Sequence, residues 1–337
     1  MLLAAVHPSR RCHALLWALN DVDVRVRDQM LYPVLVNRRA GFIDQAGSMV
    51  IKPRFEFSWG FSEGLAAVQL NGKWGFIDRE GSMVIPNRFD DALWFSSGRA
   101  AAKVNGKWGL LDRTGHLLHP PRFDTPPRFS EGLAAVRVSG RYGYINEHGE
   151  WAVRPLFAGR FPDECAAHSF REGLALVQEN GLWGFINKQG SFVVVPSLEC
   201  ANCFSESVAN VGPVGDSYFI DKMGRPLFGS RRFRECNSFS EGFAAVRTRD
   251  LWGFINEDGK HVIGERYVSA FEFGEGLAAV GFQDGTLGYI NRGCELIIRS
   301  RNWDFADRFR FGIAAVSVEN RWGYIDRTGK YLWRPTA

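Results

Sequence analysis

Apolar positions in this chain come in short runs set off by turn-forming pairs, most clearly from Phe61 to Pro86, FSEGLAAVQLNGKWGFIDREGSMVIP. Leu65 to Leu70 is an apolar run, and Asn71-Gly72 then supplies two residues that accept positive φ, the strongest short hairpin signal. Lys73 to Ile77 returns with a period of two, so Trp74 and Phe76 share one face while Gly75 and Ile77 share the other. A bare glycine in a strand lets a neighbouring backbone or ring approach closely. Asp78-Arg79-Glu80-Gly81 reads as a bulged hairpin loop, with the Asp side chain bonding the backbone ahead and Gly81 left-handed. Met83 to Ile85 forms a third strand, which Pro86 stops. The pattern predicts a three-stranded antiparallel meander, joined onward by a connection from Asn87 to Gly98.

The unit recurs. Its glycine stands at Gly41, Gly75, Gly109, Gly143, Gly184, Gly253, Gly288 and Gly323, with Tyr218 in its place once, at successive spacings of 34, 34, 34, 41, 34, 35, 35 and 35 residues. The repeat-defining pairs are Trp74-Gly75, Trp108-Gly109, Trp183-Gly184, Trp252-Gly253 and Trp322-Gly323. Two further aromatic columns run through the connections, one including Phe55, Phe89 and Phe123, the other Phe61, Phe95, Phe129, Phe170, Phe204, Phe239, Phe273 and Phe309. A lone meander exposes these rings, whereas stacking buries each against the next copy, at about 25 cal/mol per Å². Nine such copies predict an all-β tandem array, stacked as an open twisted solenoid. The alternative is a closed propeller-like ring, whose blades usually hold four strands in about 40–50 residues.

KWGFID, the small turn, the apolar residues before Pro and Phe, and FSEGLAAV together resemble the bacterial WG-repeat family over roughly residues 28–335. The resemblance implies a β-rich repeat module with no established catalytic activity and no shared active-site residues. Ala40, Ser217 and Leu287 in the Trp position depart from the pattern.

The reading divides the chain into an N-terminal cap segment, 1–27, and the array, 28–337. Asp21 to Arg27 alternates valines with charges, as an edge strand does to discourage further pairing. The first twenty residues lack a small-residue cleavage site after a clean apolar stretch, which leans toward the cytoplasm without deciding the compartment. No apolar run is long enough for a spanning helix. With 41 Lys and Arg against 37 Asp and Glu, the net charge of +4 argues against a dedicated nucleic-acid binder.

Candidate chemistry is sparse. Glu63, Glu131, Glu172, Glu206, Glu241 and Glu275 recur before the turn glycine, and six copies of one carboxylate suit a turn role rather than a catalytic pair. Arg54, Arg88, Arg122, Arg232 and Arg266 precede the connection aromatic, where Glu56, Asp90 and Asp124 follow closely enough for interleaved salt bridges. His116 and His119 lie close in sequence, with no third ligand in view. Cys165, Cys200, Cys203 and Cys236 fall in successive connections, which makes zinc binding, a disulfide, or small apolar packing residues the readings to separate.

Three functions follow as expectations. A non-catalytic scaffold binding another protein along its surface leads. A glycan or cell-envelope module would need exposed tryptophans, and buried ones exclude it. An enzyme would place its site in the enlarged connection at 158–170, where no nucleophile-base pair is evident. Oligomeric state stays open.

Overall fold

The computed structural model describes residues 31–159 and 165–335. The expected cap and the Asp21–Arg27 strand lie outside the described residues. Those residues form nine antiparallel sheets and a single 3-10 turn at Phe228–Ser230, and no helix is long and apolar enough to cross a membrane.

In the sheet built from the Phe61–Pro86 stretch, four strands lie side by side in chain order: Phe57–Ser58, Ala66–Leu70, Lys73–Ile77 and Met83–Phe89. Asn71 and Gly72 both take positive φ, 52° and 71°, as the hairpin requires. In the next turn the Asp78 carboxylate accepts the Ser82 N–H at 2.7 Å, and Gly81 sits at φ 87°.

Two expectations about the unit change. The connection carries the first strand of the following sheet, in full at Asp91–Ser96 and Ser269–Gly274 and as a two-residue stub at Phe57–Ser58. Pro86 does not end the last strand, which runs on to Phe89 across a bulge: Trp74 pairs with Phe89, and Phe76 with Ile85. Proline is tolerated there because the strand is at the sheet edge and bulged, so its missing N–H costs no ladder bond.

The bulge also explains the WG glycine. A Cβ on Gly75 would stand 2.5 Å from the Ile85 carbonyl oxygen and 2.7 Å from the Asn87 nitrogen. Gly41, Gly143, Gly184, Gly253 and Gly323 meet equivalent backbone atoms. The close approach therefore comes from the bulged strand of the same sheet. Gly109 differs, facing the Leu117 side chain at 3.1 Å, because His116 to Phe123 forms only isolated bridges in place of a last strand.

The described chain divides into two compact units, one comprising residues 31–139 and 144–151, the other 140–143, 152–159 and 165–335. In each, consecutive sheets pack through the aromatic columns. Phe42 meets Phe61 edge-on at 4.9 Å, and Phe76 meets Phe95 at 4.9 Å in the first unit. In the second, Phe254 meets Phe273 at 5.1 Å and Tyr289 meets Phe309 at 4.7 Å.

The open solenoid of three-stranded meanders is corrected. The sheets are up to four-stranded meanders, the form of propeller blades, and the propeller-like alternative is the arrangement they fit. Within the second unit, the Arg171 charge acts on Arg310 although three sheets intervene along the chain. At about 10 Å per packed sheet, a straight stack would hold them far beyond such reach.

Candidate functional site

The recurring polar residues turn inward on the fold. Each Glu before the turn glycine takes positive φ, 51° at Glu63 and 56° at Glu241, a conformation that costs on the order of 1 kcal/mol or more in a non-glycine residue. The carboxylates of Glu63, Glu172, Glu206, Glu241 and Glu275 then accept N–H groups from the same turn of the next copy. Glu63 takes the Gly98 N–H at 3.0 Å, Glu206 the Gly242 N–H at 2.9 Å, Glu241 the Gly276 N–H at 2.8 Å and Glu275 the Gly312 N–H at 2.8 Å. Cations brace the same carboxylates: Arg113 lies 3.4 Å from Glu63, Lys222 3.0 Å from Glu172 and Arg292 2.8 Å from Glu241. Burial pushes the Glu172 and Glu241 carboxyls up, but these cations and the turn N–H groups outweigh it and hold both below the ordinary value. The expected turn role is the one these contacts perform.

Arg232 makes an ion pair, with Asp216 at 3.5 Å, and Arg266 bonds the Gly264 carbonyl two residues back at 3.3 Å, but Arg54, Arg88 and Arg122 do something other than the expected interleaved ion pairing. Arg88 donates to the Gly115 carbonyl at 2.6 Å and Arg122 to the Gly149 carbonyl at 2.7 Å, each in the second turn of the next copy. Arg54 bonds Gly81 likewise, and all three guanidiniums lie against the aromatic ring that follows them. The acids pair instead with lysines of the adjacent strand, Asp90 with Lys73 at 2.7 Å and Asp124 with Lys107 at 2.5 Å.

The four cysteines part company in exposure. Cys165 and Cys200 are exposed, Cys203 is half-buried, and Cys236 is buried among Phe219, Phe233 and Phe239. Burial pushes the Cys236 thiol up to about 12. Burial raises Cys203 too, with Arg171 opposing and Cys165 adding to the rise, which places Cys165 and Cys203 within electrostatic reach of each other. No three His, Cys, Asp or Glu side chains among the described residues converge as a metal site would require. His116 bonds Thr114, and His119 the His148 carbonyl, so the pair is not drawn onto a common point. Residues 160–164 of the enlarged connection lie outside the described residues.

Trp74, Trp108 and Trp252 are buried, while Trp183 and Trp322 are half-buried. What reaches the surface is of another kind. Met49 and Val50, Met83 and Val84, and Leu296 and Ile297 are exposed pairs on edge strands. Beside Trp74, the half-buried Phe57, Trp59 and Trp94 form an aromatic cluster that lies outside the recurring columns, since Trp59 and Trp94 do not recur.

A family model described as WG containing repeat matches seven windows, residues 41–74, 74–108, 108–142, 142–183, 183–211, 219–252 and 252–285. No curated protein matches the sequence. Among solved structures, one described as the eukaryotic initiation factor is similar with a TM-score of 0.61 at 10% identity, over 90% of this chain and 95% of that one. BamB from Moraxella catarrhalis is similar with a TM-score of 0.41 at 13% identity, over 81% of this chain and 97% of that one. The WD40 β-propeller domain of Doa1 reaches 0.35 at 11% identity, over 68% and 88%. The first likeness speaks to the fold alone, and the other two are too low to bear on it.

Proposed function

The chain belongs to the WG containing repeat family, and from that premise we propose that it is a non-catalytic repeat scaffold whose surface binds another protein. The observation that carries this reading is the split between what the fold uses and what it leaves outside. The side chains of Glu63, Glu172, Glu206, Glu241 and Glu275 and of Arg54, Arg88 and Arg122 are spent on joining one copy to the next. The edge strands, by contrast, present the exposed pairs Met49-Val50, Met83-Val84 and Leu296-Ile297. Repeated apolar pairs on unpaired sheet edges invite association with another chain.

The buried Trp74, Trp108 and Trp252 speak against a sugar-stacking module built on the repeat tryptophans. For an enzyme no observation speaks. The test is affinity capture from the native lysate with the wild type and with Met83→Asp/Val84→Asp, followed by titration of the purified captured protein. A partner that binds the wild type directly and loses affinity for the variant supports the scaffold. Capture of nothing that binds directly overturns it.

A further inference from the structure

Several joints between copies share one staple, an arginine bonded to the carbonyl of the glycine that closes the second turn of the next copy. Arg88 and Arg122 make it, as do Arg54 to Gly81 and Arg231 to Gly259 at 3.3 Å. The joint that follows the strand His261–Tyr267 is built differently. Arg266 bonds Gly264 on its own strand. Tyr267 stands where Phe55, Phe89, Phe123, Phe157 and Phe233 stand in other copies, and Cys294 stands where every other copy has the turn glycine. These two departures meet: the Tyr267 phenol oxygen lies 3.1 Å from the Cys294 Sγ.

The glycine of that turn is called for twice. Its φ is positive, and Cys294 takes φ 66° in its place, a conformation that strains a residue with a Cβ. Space is short as well, since a Cβ on Gly115 would stand 2.9 Å from Ile85, and one on Gly329 2.7 Å from Ile298, both on the preceding copy. What the cysteine supplies, and glycine lacks, is a partner for the phenol. Tyr267 is 3% exposed, and a buried hydroxyl left without a partner is destabilising. At this joint the phenol–thiol bond takes the place of the arginine staple. The thiol is also within reach of solvent: Cys294 is half-buried, and Arg292, Gly293 and Glu295 around it are exposed.

We propose that Cys294 is a redox modification site, where a hydroperoxide converts the thiol to the sulfenic acid and loosens the joint with Tyr267. This goes beyond the scaffold reading and does not depend on it. Sulfur attacks the terminal peroxide oxygen, so an S–O bond forms as the O–O bond breaks. The thiol proton leaves on the departing oxygen, as water when the oxidant is hydrogen peroxide. Sulfur gives up two electrons and the peroxide takes them. With 3.1 Å between Sγ and the phenol oxygen, the added oxygen either displaces the ring or swings the sulfur away, and the original bond is lost in both cases. Two molecules of a small thiol reverse the step, the first forming a mixed disulfide with release of water and the second freeing Cys294.

The experiment treats the full chain with hydrogen peroxide, traps sulfenic acid with dimedone for peptide mass mapping, and follows thermal melting before and after dithiothreitol. The variants are Cys294→Gly with Tyr267→Phe, which restores the residues of the other copies, and Cys294→Ser, which keeps a hydrogen-bond partner for the phenol and is inert to peroxide. The wild type is expected to carry the adduct at Cys294, to melt about 2 °C or more lower after peroxide, and to recover with dithiothreitol. Neither variant is expected to shift, although both retain the exposed Cys165 and Cys200. A Cys294 that stays unmodified while Cys165 is oxidised overturns the proposal. So does oxidation of Cys294 with unchanged melting, or an equal fall in either variant.

Discussion

The WG glycine makes the sharpest prediction, because the structure separates two copies of one motif. A methyl added at Gly75 meets the Ile85 oxygen at 2.5 Å and the Asn87 nitrogen at 2.7 Å, both backbone atoms of the bulged strand. Neither can turn aside without moving the strand, so Gly75→Ala carries an overpacking cost of about 1–3 kcal/mol. At Gly109 the nearest atom is the Leu117 side-chain methyl at 3.1 Å, followed by Pro121 at 3.3 Å. A leucine can change rotamer by a few tenths of an ångström. The loss of backbone freedom in the unfolded chain also favours alanine by about 0.4–1 kcal/mol. Gly109→Ala is therefore expected within about 1 kcal/mol of wild type. Thermal melts followed by near-ultraviolet circular dichroism, at one protein concentration, compare the two. At about 2–4 °C per kcal/mol, Gly75→Ala is expected to melt several degrees lower and Gly109→Ala close to wild type. Equal melting of the two variants would refute the account of the bulge as the reason for the glycine.

Stability is expected to fall in acid. Glu172 and Glu241 have folded pKa values below the ordinary 4.5, so their contribution is fully present above that value and is lost as pH drops through the folded values. Melting temperature against pH checks this, with a shallower acid limb expected for Glu241→Gln. Arg88→Ala is expected to cost about 1–2 kcal/mol through its lost bond to the Gly115 carbonyl, with Arg88→Lys between it and wild type in a denaturant titration. Iodoacetamide under mildly alkaline conditions is expected to label the exposed Cys165 and Cys200 and to spare Cys236 until the chain unfolds, as peptide mass mapping would show.

Much of the fold could be read in the sequence because its turns are locally determined. Asn71-Gly72 and Asp78 to Gly81 adopt the conformations their residue types favour, whatever surrounds them. What escaped the reading depends on pairing with distant chain. The first strand of a sheet, such as Phe57–Ser58, is too short to show a period, and it becomes a strand only by pairing with Val68 and Gln69. Pro86 looks like a terminator until the sheet edge makes its missing N–H irrelevant. Arg88 looked like a partner for the nearby Asp90, yet Asp90 is claimed by Lys73 on the adjacent strand and Arg88 reaches into the next copy. Counting three strands instead of four is what pointed to a solenoid.

The candidate site was harder to read, for a reason built into repeats. A residue that recurs answers a demand that recurs, and in this chain that demand is the joint between copies. Glu63, Glu206, Glu241 and Glu275 each bond a turn in the following copy, so a catalogue of columns finds the mortar and not the message. Binding to a particular partner calls for residues that break the column at one place on the surface. Asn237 shows what the joint requires at its position, and Trp59 meets the same requirement with a larger ring. Cys236 teaches the converse: a residue that breaks its column inside the core, buried among Phe219, Phe233 and Phe239, is an adjustment of packing. Departure from the repeat marks a site only where it is joined to exposure.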